Sequence, residues 1–76
     1  EAMKITEATR LKDLLEEYPW LKDEIVKVNE KFEMLNSPLG KIMATKVDVH
    51  EMSKRSGMDL DLLISKLTDL IDSHQD

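Results

Sequence analysis

Among the side chains of this 76-residue chain that can ligate a metal or move a proton, only His50-Glu51 sets a histidine beside a carboxylate in a segment expected to be helical. A helical zinc-hydrolase site needs a second histidine one turn further on, so that both imidazoles leave the same face, and none follows. His50 therefore reads as a surface histidine in the first turn of a helix, and His74 falls in the closing residues with no local partner. Ser37, Ser53, Ser56 and Ser65 are each explained by a cap, a turn or a small surface position. None has a histidine at the spacing of a nucleophile motif. The chain has no cysteine, which removes disulfides, thiolate zinc sites, iron–sulfur clusters and thiol redox chemistry together. Gly40 and Gly57 are the only glycines, so no glycine-rich phosphate loop can form. No catalytic, cofactor or metal residue is assigned, and the chain is not expected to be an enzyme.

Carboxylates are numerous, but Glu16, Glu17, Asp23 and Glu24 alternate with Lys12, Lys22 and Lys27 on polar helix faces and read as solvated charge. The formal charge of −5 is unevenly spread: residues 1–36 carry 9 acidic and 6 basic side chains, residues 37–57 carry 2 and 4, and residues 58–76 carry 5 and 1. Only the middle third is basic. No apolar run reaches the roughly 20 residues of a membrane span, and the amino terminus lacks a secretory pattern. A cytoplasmic protein with no membrane contact is expected. Glu1-Ala2 ahead of Met3 reads as a cloning remnant, with Met3 as the natural start.

The elements that must position these side chains are all helical. A single small domain over residues 3–72 is expected, too small for a deep pocket of roughly 300 Å³ or more. Leu11, Leu14, Leu15 and Tyr18 follow the i, i+3, i+4, i+7 spacing of one helix face, with Thr9 as its N-cap. Pro19 ends that helix and opens the next as its first residue, with Trp20, Leu21, Ile25 and Val28 facing inward. Residues 30–36 have weak periodicity and read as an irregular loop pinned by Phe32. Ser37-Pro38 caps and starts a third helix whose buried set is Leu39, Ile42 and Met43.

The last third carries layered signals. Asp48 and Glu51 form a capping box, Val47 and Met52 a hydrophobic staple, and Gly57 a left-handed stop. Asp59 caps the final helix, whose stripe is Leu60, Leu63, Ile64, Leu67 and Ile71, with Leu70 at its margin. Residues 73–76 are expected to fray. The last two helices thus form a hairpin with the outline of a helix-turn-helix. Its would-be recognition helix presents Asp59, Asp61, Asp69 and Asp72 against the single base Lys66, a charge balance that repels phosphates.

Phe32 and Met34 form an apolar pair in the connector, where they act either as a core anchor or as a partner contact. The anchor is the simpler reading for the pair. Met34 is the harder of the two to assign.

The segment Leu11–Pro19 (LKDLLEEYP), the Phe32 connector, Asn36-Ser37-Pro38 and Ser56–Leu60 (SGMDL) with Leu63 resemble one short helical family, domain of unknown function 1858. The resemblance covers about Ile5 to Ile71 and implies a compact helical domain of bacteria and archaea. In that family the domain stands alone or at the amino end of longer proteins, ahead of hemerythrin-like or sensory domains. One branch carries a cysteine pair near the connector and is associated with hybrid-cluster redox proteins. The stretch Phe32–Gly40 has no thiol, so that role does not carry over, and no family catalytic residue maps here.

The sequence reading is an all-α domain of about five short helices, acting as a non-enzymatic protein-interaction or sensory accessory module. Its partner would be another protein or a neighbouring domain, with Phe32 and Met34 as candidate contacts and self-association left open. The alternatives are a helix-turn-helix DNA-binding protein and an accessory subunit that completes another enzyme's site.

Overall fold

The computed structural model describes residues 3–74, so Glu1, Ala2, Gln75 and Asp76 lie outside the described residues. Five α-helices follow in order: α1 (Leu11–Glu17), α2 (Leu21–Glu24), α3 (Pro38–Ala44), α4 (Val49–Ser56) and α5 (Leu60–His74). A short 3₁₀ turn, Ile25–Lys27, extends α2, and a longer 3₁₀ helix, Glu30–Asn36, connects it to α3. The all-α class expected from the periodicity is the one observed.

α1 stops where it must. Tyr18, held before Pro19, leaves the helical region at φ −128°, ψ 77°, as the clash with the proline ring requires. Pro19 does not open α2 as expected. Pro19-Trp20 form a turn in which the Leu21 N–H donates to the Tyr18 carbonyl at 2.9 Å, and α2 begins at Leu21. Thr9 likewise does not cap α1, whose N-cap residue is Arg10. The Thr9 hydroxyl accepts from the Thr6 N–H at 2.9 Å instead. The Thr9 carbonyl accepts from Val49 N–H at 2.9 Å, and that of Glu7 accepts from His50 N–H at 3.0 Å. The segment before α1 thereby satisfies amides in the first turn of α4 that have no partner within the helix. Arg10 and Asp48 close this seam as an isolated antiparallel bridge.

α4 and α5 follow their end signals closely. The Asp48 carboxylate accepts from Glu51 N–H at 2.8 Å, and that of Asp59 from Leu62 N–H at 3.1 Å. Only the Asp48 half of the expected Asp48–Glu51 capping box is made, because the Glu51 carboxylate sits 3.6 Å from Arg55 as an i,i+4 pair and does not return to the Asp48 N–H. Gly57 takes φ 77°, a left-handed conformation that costs a residue with a β-carbon about 1 kcal/mol. Leu63, Leu67 and Ile71 are buried along α5, with Leu60, Ile64 and Leu70 partly buried beside them. With Leu11, Leu14, Leu21, Ile25 and Val49 they form one core. The expected fraying over 73–76 does not describe Ser73 and His74, which complete α5.

Two further expectations are corrected between Glu30 and Ala44. The connector is a regular 3₁₀ helix, started by the Asn29 side chain, which accepts from Lys31 N–H at 2.9 Å. Its repeat of three puts Phe32 and Leu35 on one buried face. α3 is capped by Ser37 as expected but packs through the opposite choice of side chains: Gly40 and Ala44 are buried, while Leu39 and Ile42 are exposed and Met43 is half-buried. The cause is a backbone contact. A β-carbon on Gly40 would lie 1.8 Å from the Met34 carbonyl oxygen and 2.8 Å from the Leu35 α-carbon, so only a glycine lets α3 lie this close to the connector.

Candidate functional site

The three-residue repeat of the connector sorts its side chains into three rows. Phe32 and Leu35 face the core, Lys31 and Met34 share the next row, and Glu30, Glu33 and Asn36 form a polar third. Phe32 is only 6% exposed and serves as the anchor, whereas Met34 is 46% exposed. The anchor reading expected for the pair holds for Phe32 alone, because the three-residue repeat turns Met34 to solvent. Met34 is held in place by its own carbonyl, which accepts from the Ser37 hydroxyl at 2.7 Å and from the Ser37 N–H at 3.0 Å.

On α3, Leu39 and Ile42 lie three residues apart on one side and Met43 is one turn beyond Leu39. Leu39 is 65% and Ile42 57% exposed. Met43 and Met34 together line an apolar pocket of about 50 Å³, floored by Leu11, Phe32, Leu35 and Met52. Lys31 and Arg55 also line it. The result is an apolar strip running from Ile42 and Leu39 over Met43 to Met34, with two cations at the pocket. The Lys31 ammonium donates to the Ser56 carbonyl at 3.4 Å, which holds it near the end of α4. Leu39 and Ile42 are the residues that periodicity alone misplaces. The signal for them is the glycine between, whose missing side chain marks the packed side of the helix.

A family model for a domain of unknown function, DUF1858, matches residues 5–64. The chain belongs to this family. No curated protein and no solved structure matched the chain.

The match takes in the connector, α3 and α4, and therefore the whole apolar strip of this DUF1858 domain. Its two histidines sit apart from the strip. His50 is exposed, with Nδ1 3.8 Å from the Glu7 carboxylate. Among the described residues, no three histidine, cysteine, aspartate or glutamate side chains converge as a metal-binding group would require. His74 has a structural role that its place near the end of the chain gave no sign of. Its ring stacks on Trp20 with centroids 3.5 Å apart and planes 5° from parallel, and its Nε2 lies 3.4 Å from Glu24. The Glu24 carboxyl is held below its ordinary range, first by a hydrogen bond from Lys27, 2.9 Å away, and then by one from His74.

The α4–α5 hairpin of the DUF1858 domain turns at Gly57, braced by the Ser53 hydroxyl, which donates to the Met58 carbonyl at 2.6 Å. Asp61, Asp69 and Asp72 are all exposed on α5 beside Lys66, so its solvent side is acidic. No helix among the described residues is long and apolar enough to cross a membrane.

Proposed function

We propose that this DUF1858 domain is a non-enzymatic protein-interaction module, serving as an accessory to a neighbouring domain or protein. The observation that carries this reading is the exposure of Met34, Leu39 and Ile42 as one apolar strip while the core beneath them is already filled. A chain of this size has few apolar side chains beyond what its core needs, and three of its four exposed large ones lie on this strip, where they forgo burial that contact with a partner supplies. The polar side chains add no competing reading, because the hydroxyls of Ser37, Ser53 and Ser56 are engaged in caps and turns.

A photo-crosslinking residue placed at position 39 in cells of the source organism tests this. Adducts to one discrete protein are expected, absent when the probe is at position 69 on α5 and lost on Ile42→Asp. Equal adducts from both positions would overturn the reading. So would random duplex DNA binding that tightens steeply below about 100 mM salt, the behaviour of a phosphate-neutralising protein.

A further inference from the structure

We infer that the strip receives an acidic amphipathic helix from a partner protein, an inference that rests on the interaction reading above and adds the chemistry of the occupant. Shape argues for a helix. Met34, Leu39 and Ile42 expose on the order of a few hundred Å² between them, well short of the roughly 800 Å² that each subunit of a stable dimer buries. An amphipathic helix needs less, since it lays anchors spaced i, i+3, i+4, i+7 along a narrow groove. The pocket of about 50 Å³ beside the strip accepts the end of one such anchor. Met34, Met43 and Met52 line it, and unbranched thioether side chains adapt readily to the shape of an incoming group.

Charge argues for acidity. Lys31 shares the connector row of Met34, and Arg55 lines the same pocket. Lys46 is exposed just past the end of α3. Of the nearby anions, Glu51 meets Arg55 at 3.6 Å in a solvent-exposed pair that an incoming carboxylate can replace, Asp48 accepts from the Glu51 amide, and Glu33 stands on the third row of the connector. A positive rim of this kind steers an acidic segment in and disfavours a basic one.

A display library tests both halves of the inference. It presents amphipathic helical peptides with fixed leucines at i, i+3, i+4 and i+7 and randomised polar positions. Selection is for the folded domain, with counter-selection on the Leu39→Asp/Ile42→Asp variant. Both substituted positions are exposed, so the variant is expected to keep the wild-type urea midpoint, and Leu39→Ser serves as a milder second counter-target. The expected winners carry an excess of Asp and Glu, bind the wild type, and lose about tenfold or more in affinity when Lys31 and Arg55 are changed to Glu. Winners that are neutral or basic would overturn the acidic occupant and leave the docking face standing. No enrichment over the counter-targets would overturn both. A concentration-dependent dimer in sedimentation, lost in the double variant, would assign the face to a second copy and overturn the inference.

Discussion

Gly40 and the carbonyl of Met34 approach so closely that a β-carbon on the glycine would stand 1.8 Å from the oxygen. That contact sets the rotation of α3 about its axis. It turns Gly40 and Ala44 inward and leaves Leu39 and Ile42 in solvent, so the apolar strip follows from one missing side chain.

Gly40→Ala is expected to destabilise the domain by about 2 kcal/mol, because the new methyl meets backbone atoms that no rotamer change can move. Urea denaturation measures this. A midpoint equal to or above that of the wild type would mean that α3 and the connector do not pack in this way.

Truncations on the two sides of the connector and α3 should separate sharply. Phe32→Ala removes a buried ring and should cost about 3 kcal/mol. Leu39→Ala and Ile42→Ala remove exposed side chains and should each change stability by less than about 0.5 kcal/mol. Comparable losses at all three positions would contradict the observed burial.

Glu24 makes stability depend on acid pH. Its folded carboxyl titrates below the ordinary value, through Lys27 first and His74 second. The stabilisation is therefore complete above the ordinary carboxylate range and is lost as pH falls through the lowered folded value. Glu24→Gln should lower the urea midpoint at about pH 6, with the gap to the wild type closing as the pH falls through the lowered folded value. A constant offset across that range would show that the ionised group is not what matters. In the same cluster, His74→Ala uncovers one face of Trp20, the only tryptophan. Its emission is expected to move to longer wavelength, and an unchanged spectrum would argue against the stack.

The start of α4 depends on the Asp48 carboxylate accepting from Glu51 N–H. Asp48→Ala should cost about 1 kcal/mol, and Asp48→Asn, which keeps an acceptor, should restore most of it. Equal losses in the two variants would show that the negative charge at the start of α4, and not the cap hydrogen bond, is what matters.

Local chemistry in the chain was enough for the helical class, the hairpin and most helix ends. Asp48, Asp59, Ser37 and Gly57 act within three or four residues of themselves, and the spacing of Leu63, Leu67 and Ile71 selects a single face of α5. The connector was harder to read, because a repeat of three over seven residues leaves only Phe32 and Leu35 as its buried row. Thr9 looked like a cap because its hydroxyl suits one. Its carbonyl is needed instead by Val49, and nothing near Thr9 in the chain signals that distant amide. His74 found Trp20 in the same way, across the fold.

The decisive ambiguity lay in α3. Leu39, Gly40, Ile42, Met43 and Ala44 cover most of its circumference with apolar groups, so hydrophobicity favours no single inward side. Leu39 and Ile42 offer more area to bury, and a count of apolar surface chooses them. Packing chose Gly40, because close approach of two backbones depends on an absent β-carbon and contributes nothing to such a count. The residues that set the helices were thus written along the chain. The side of α3 that meets the core, and with it the exposure of Leu39 and Ile42, was settled only when the connector's carbonyl came to rest against Gly40.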